Sequence, residues 1–151
     1  DLVVREESVP EPYIVSNTEQ TVALRPGKTS EVRFQDYQKP GLEILKKNIA
    51  TGEPIEGVTY LIEQIDGSYS TSSTTDSAGR IFLDSIPVGS YRVTEKNVPS
   101  NVILSEIPQE IHLEAGCTRT VTFFNAVTFG LLLKRRPRPD TVLIPRPKVF
   151  M

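Results

Sequence analysis

Two parts of the chain match each other at one fixed spacing. Leu2-Val3-Val4-Arg5-Glu6 parallels Tyr91-Arg92-Val93-Thr94-Glu95, and each is followed by a Val-Pro pair, Val9-Pro10 and Val98-Pro99. Further on, Val32-Arg33-Phe34-Gln35-Asp36 parallels Val121-Thr122-Phe123-Phe124-Asn125, and Gly41-Leu42 parallels Gly130-Leu131. Every pair is separated by 89 positions without a gap. A constant offset means that one structural unit recurs, so the fold must be complete within that length. Residues 1–40 then read as the back end of one repeat, 41–126 as a complete repeat and 127–151 as a degenerate start of a third. In that third part Arg135-Arg136-Pro137-Arg138-Pro139 stands where the complete repeat has Lys46-Lys47-Asn48-Ile49-Ala50. Prolines there are poor strand residues.

The complete repeat reads as all-β. Leu42, Ile44 and Lys46 alternate with Glu43, Leu45 and Lys47, and Val58, Tyr60 and Ile62 alternate with Thr59, Leu61 and Glu63. Ser68–Thr74, Arg80–Leu83, Ser90–Glu95, Glu110–Leu113 and Arg119–Asn125 complete about seven short strands. Turn signals at Thr51-Gly52, Asp66-Gly67, Ala78-Gly79, Pro87-Val88-Gly89 and Ala115-Gly116 separate them. No segment keeps a helical period. This pattern predicts an immunoglobulin-like β-sandwich in tandem repeats.

Alternation also selects three polar residues. Side chains two apart on a strand share a face. If Leu42 and Ile44 face the core, so does Lys46; Tyr91 and Val93 carry Glu95 inward, and Val121 and Phe123 carry Asn125. Lys47, the neighbouring amine, has outward parity. An unpaired buried charge costs several kcal/mol, so an inward lysine and glutamate need each other. If the three meet, burial favours a neutral amine, which is a nucleophile, and a neutral acid that can polarise the Asn125 carboxamide. Attack on that carboxamide would expel ammonia and leave an amide between the side chains. Each residue also has an ordinary alternative: a lysine snorkelling to water, a solvated glutamate, a turn asparagine.

Residues 41–126 resemble the B-type repeat of Gram-positive collagen adhesins, the SpaA-like, prealbumin-like pilin domain. The resemblance is carried by Gly41-Leu42-Glu43-Ile44-Leu45-Lys46, by Thr51-Gly52-Glu53-Pro54-Ile55-Glu56-Gly57-Val58 and by Val121-Thr122-Phe123-Phe124-Asn125. It is also carried by the run from Thr75-Asp76-Ser77-Ala78-Gly79 through Phe82, Ile86, Gly89 and Tyr91 to Glu95. It implies an intramolecular isopeptide bond between Lys46 and Asn125, promoted by Glu95. The sequence departs from the family pattern in Lys46-Lys47-Asn48, where Lys-x-Asp is usual, and in lacking Pro-x-Gly-Tyr after the acid. Glu6 and Asp36 occupy the equivalent positions of the preceding repeat. The lysine for that pair would lie before residue 1, which predicts an unreacted half-site with an unfilled core face. Arg135 stands at the third lysine position, where a guanidinium is too basic to act as a neutral nucleophile.

Function follows as an expectation: a stalk or spacer repeat of an extracellular adhesin or pilin-like protein on a cell wall, packed against neighbouring repeats. A bond of this kind needs no oxidant, which would suit a surface protein whose one cysteine, Cys117, can form no intrachain disulfide. The alternative is an adhesin module that recognises a host or extracellular-matrix protein through Ser68–Thr75 or Asn97–Leu104. A net charge of −2 argues against nucleic acid as partner, and the apolar runs are too short to span a membrane. The lone His112, at surface parity, and the absence of cysteine–histidine clusters, phosphate-cradling loops or a nucleophile elbow argue against a turnover enzyme, a metal or a cofactor. The stretch from Asp1 to Glu7 has no signal-peptide character, and no sorting motif is present, so the chain reads as an internal piece of something longer. The basic residues Lys134, Arg135, Arg136, Arg138, Arg146 and Lys148 read either as an anion-binding run or as a degenerate repeat start.

Overall fold

The computed structural model describes residues 1–15 and 19–128, so the basic run and Arg135 lie outside the described residues. The described elements are all strands. Residues 1–40 form β1 (Leu2–Arg5), β2 (Tyr13–Val15), β3 (Glu19–Val22) and β4 (Asp36–Gln38). The next unit contains β5 (Gly41–Asn48), β6 (Thr59–Gln64), β7 (Ser70–Thr74), β8 (Arg80–Leu83), β9 (Gly89–Asn97), β10 (Gln109–Leu113) and β11 (Thr118–Asn125). Seven strands thus lie where alternation put them, with ends shifted by one or two residues. Val58 stays outside β6 because its N–H is taken by Thr75 Oγ1 rather than by a ladder partner. Ser68 belongs to the turn, since its N–H and hydroxyl both donate to Asp66 Oδ1.

The unit is a two-layer sandwich. One sheet has the order β10-β9-β6-β7 and the other β11-β5-β8. All ladders are antiparallel except that of β5 and β11, which run parallel from Gly41↔Thr118 to Asn48↔Asn125. The two inner faces supply the core. Leu42 and Ile44 of β5 meet Tyr60 and Ile62 of β6 and Tyr91 and Val93 of β9, all with no exposed surface. Burial of such side chains contributes roughly 1.5–3 kcal/mol each.

The turn Asp76–Gly79 fixes β8 against β5. Asp76 Oδ1 accepts the N–H groups of Ala78 and Arg80, and Gly79 adopts a left-handed φ of 66°. A Cβ at Gly79 would lie 2.5 Å from the Lys46 carbonyl oxygen, so the backbone approach at Lys46 requires glycine. The Lys46 N–H donates to Gly79 O, and Lys46 O accepts from the Ile55 N–H. Gly79, which closes the Thr75-Asp76-Ser77-Ala78-Gly79 run, therefore takes the Lys46 N–H while Ile55 binds the Lys46 carbonyl.

Residues 1–40 repeat the pairing of the sandwich at the same offset. Leu2↔Val22 and Val4↔Gln20 correspond to Tyr91↔Ile111 and Val93↔Gln109, and Tyr13↔Gln38 corresponds to the bridge Val102↔Val127. Burial does not repeat. Leu2 is 48% exposed where Tyr91 is fully covered. The junction is short: Gly116 N–H donates to Gln38 O, Gly41 N–H to Cys117 O, and Pro40 is buried, with its carbonyl accepting from Ile86.

Candidate functional site

Lys46, Glu95 and Asn125 sit together between the sheets. Lys46 reaches inward from β5 and Asn125 from the adjacent β11, while Glu95 comes from β9 of the opposite sheet. All three are buried. Lys46 Nζ donates to Glu95 Oε2 at 2.6 Å, and Asn125 Nδ2 donates to Glu95 Oε1 at 2.5 Å. The carboxylate therefore holds the amine with one oxygen and the amide with the other. The Ser105 N–H adds a third donor, to Oε1 at 3.0 Å, from the loop that follows β9.

One residue outside the sequence-based selection belongs to the site. Tyr60, directly opposite Glu95 in the β6–β9 ladder, donates its hydroxyl to Oε2 at 3.2 Å. Its inward parity was legible, but its hydroxyl partner depends on which strand pairs with β6. Asn48 continues the inward stripe of β5 beyond Lys46, and its Oδ1 accepts from the Ala50 N–H, so it caps the following turn. The Tyr60 and Phe123 rings pack with centroids 4.8 Å apart. Lys46 Nζ lies 6.0 and 5.8 Å from those two centroids. The amine is thus walled by aromatic carbon on one side and met by a carboxylate on the other.

Burial pushes the Lys46 amine below its ordinary value, opposed in part by the hydrogen bond and charge of Glu95. Burial, reinforced by the Glu95 charge, pushes the Tyr60 phenol above its ordinary value, so it stays a hydroxyl. Asn125 Oδ1 is buried without a hydrogen-bond partner among the described residues. An orphan buried acceptor costs about 1–3 kcal/mol, so this amide is not placed for stability alone.

Other residues singled out by the sequence fall elsewhere. Glu6 and Asp36 come together: partial burial first, then the charge and hydrogen bond of Asp36, raise the Glu6 carboxyl above its ordinary value. Glu6 Oε2 has no hydrogen-bond partner among the described residues, and Lys39 is engaged with Glu11. His112 is exposed and shares a hydrogen bond with Ser90 Oγ, and Cys117 is exposed in the loop before β11. Lys47 projects from the other face of β5 and is only half-buried. Among the described residues no cluster of histidine, cysteine, aspartate and glutamate could hold a metal ion.

A family model described as SpaA, prealbumin-like fold domain, matches residues 40–127, more than half the chain. Comparison with curated proteins finds no match. Among solved structures the chain is similar to the Bacillus anthracis TIE protein, with 18% identity, a TM-score of 0.59, and coverage of 83% of this chain and 24% of that one. It is also similar to GBS52, the minor pilin of Streptococcus agalactiae, with 21% identity, a TM-score of 0.54, and coverage of 64% and 48%. A third is the pilus 2b backbone protein of group B streptococcus, with 16% identity, a TM-score of 0.55, and coverage of 82% and 52%. The chain spans about a quarter to a half of the length of these structures, and at such identities the likeness is one of fold.

Proposed function

The chain belongs to the SpaA family of prealbumin-like fold domains, and from that premise we propose that it is a stalk or spacer segment of an extracellular, cell-wall-attached adhesin or pilin-like protein, tied internally by an isopeptide bond between Lys46 and Asn125. In this reading 1–40 closes one repeat, 41–126 is a whole one and 127–151 begins another, and its partners are neighbouring repeats. The observation that carries the bond is that the two oxygens of buried Glu95 hold the Lys46 amine and the Asn125 amide at once.

The chemistry needs no cofactor. Glu95 takes a proton from the Lys46 ammonium, a transfer favoured by the burial that already lowers the affinity of Lys46 for it. The neutral Nζ attacks Asn125 Cγ. With the carboxamide turned so that Oδ1 faces the acid, Glu95 lends its proton to the oxygen as negative charge develops, delivers it to the departing nitrogen, and takes up the second proton that Nζ sheds as it becomes an amide nitrogen. The Nζ–Cγ bond forms, the Cγ–Nδ2 bond breaks and ammonia leaves. Fixed neighbours in a dry site gain effective molarities of roughly 10⁵ M or more, enough for a poor electrophile to react once per molecule.

The parallel ladder explains the benefit. The chain enters at the Gly41 end of β5 and leaves at the Asn125 end of β11, at opposite ends of the ladder. Tension therefore loads that ladder in shear. A bond from Lys46 to Asn125 would carry the load directly across and shield the strands between. Intact mass tests this. The folded chain should weigh one ammonia less than its sequence, and a full sequence mass would remove the bond.

A second reading, a module that binds a host or extracellular-matrix protein through its loops, has one observation in its favour. Ile103, Leu104, Ile107 and Phe124 are exposed around a shallow depression of about 520 Å³. Ser68–Thr75, the other loop considered, falls mostly on strand β7. Binding to immobilised matrix protein that is lost when Ile103 and Ile107 become serine would favour this reading; unchanged binding would count against it.

A further inference from the structure

The geometry points to Tyr60 as a positioning residue for bond formation: its hydroxyl holds Glu95 Oε2 and so keeps the carboxyl turned with Oε2 on the Lys46 amine and Oε1 on Asn125. The inference rests on the reaction proposed above. Lys46, Tyr60, Asn125 and the Ser105 N–H are the polar groups that face the Glu95 carboxyl. They divide evenly, two to each oxygen. Oε2 receives the amine at 2.6 Å and the phenol at 3.2 Å. Oε1 receives the amide of Asn125 and one backbone N–H.

When the carboxyl becomes an acid, one oxygen keeps the proton and the other becomes a carbonyl, which can only accept. The phenol stays protonated because burial and the carboxylate oppose its ionisation. It can donate to Oε2 of the carboxylate and turn to accept once that oxygen carries the proton. Lys46 faces Oε2, so the ammonium proton passes to that oxygen. Oε1 keeps the Ser105 N–H and the Asn125 carboxamide, whose Oδ1 is a buried acceptor without a partner among the described residues. Tyr60 can hold this arrangement because its ring is clamped. It is fully buried, packs against Phe123 with ring centroids 4.8 Å apart and stands opposite Glu95 in the ladder.

The test uses the full chain, purified unfolded in urea and refolded by dilution at a series of pH values, with loss of ammonia followed by mass. Tyr60→Phe keeps the ring and removes the hydroxyl. Its bond should form about 10-fold more slowly, the size expected for one hydrogen bond to a charged group. The midpoint of its pH–rate profile should move upward, because the phenol donates more strongly to carboxylate than to acid. A residue that only packs would leave that midpoint in place. Circular dichroism of the refolded variant checks that the fold is retained, and Phe123→Leu, which loosens the packing but keeps the hydroxyl, should hold the wild-type midpoint. If Tyr60→Phe matches wild type in rate and midpoint, the role of Tyr60 is overturned while the bond stands. If wild type itself keeps its full mass, the bond and this role fall together.

Discussion

Lys46 Nζ and Glu95 Oε2 are 2.6 Å apart, and both side chains have no exposed surface although they come from opposite sheets. Neither group is tolerable there alone. Glu95→Ala should keep the full sequence mass, because no acid remains to shuttle the proton. It should also be destabilised by about 3–5 kcal/mol through the stranded amine, beyond any loss of the cross-link. Urea denaturation together with intact mass reads both effects.

Lys46→Met separates the two contributions. Methionine fills the slot without a charge and, once Glu95→Gln is added so that no carboxylate is stranded, the variant should fold, keep its full mass and lose chiefly the loop constraint. For a loop from residue 46 to residue 125 the chain-entropy model gives about 4–5 kcal/mol. A variant as stable as wild type would show that no cross-link contributes.

The Lys46 amine gives a pH signature in chains that cannot react. Its folded value lies below the ordinary 10.5. Between the two values the unfolded state binds more protons, so stability rises with pH through that window. Asn125→Ala should show this alkaline rise. Wild type, once its amine has become an amide, should lack it. Urea midpoints of the two chains from neutral pH to pH 10.5 make the comparison, and parallel curves would contradict it.

Gly79→Ala should cost about 3 kcal/mol or more, since the added methyl group meets the Lys46 carbonyl and the Ile55 nitrogen at a left-handed φ. It should also slow bond formation, because the displaced backbone carries the nucleophile. A variant with wild-type thermal stability would contradict the close approach.

A chain cut to residues 40–128 should keep a single cooperative transition with nearly the wild-type midpoint. Among the described residues, those of 1–39 add few contacts to the sandwich, chiefly the Gly116–Gln38 hydrogen bond, and leave Leu2 and Val3 about half exposed. A large loss of stability would place the two parts in one folding unit.

The strands were legible because side chains alternate in and out with period two, and the repeat gave their order independently of any partner. The same parity placed Lys46, Glu95 and Asn125 on inward faces, and the structure brings those three side chains within hydrogen-bond reach of one another through Glu95. Parity does not say which strand lies beside which. Thus Tyr60 read as an apolar core residue, and its hydroxyl bond to Glu95 follows only once β6 pairs with β9 in the register Tyr60↔Glu95. Likewise Gly79 read as a turn residue, and its contact with Lys46 depends on β8 folding back on β5.

The sequence by itself determined the strands, their repeat and the inward direction of one amine, one acid and one amide, because those are local consequences of backbone periodicity. The tertiary structure decided that β5 and β11 run side by side in parallel, that the acid arrives from the facing sheet, and that a phenol and the Ser105 N–H share its oxygens. Those are contacts between residues far apart in the chain, fixed only when two sheets close over a common core and water is excluded from the polar groups trapped inside.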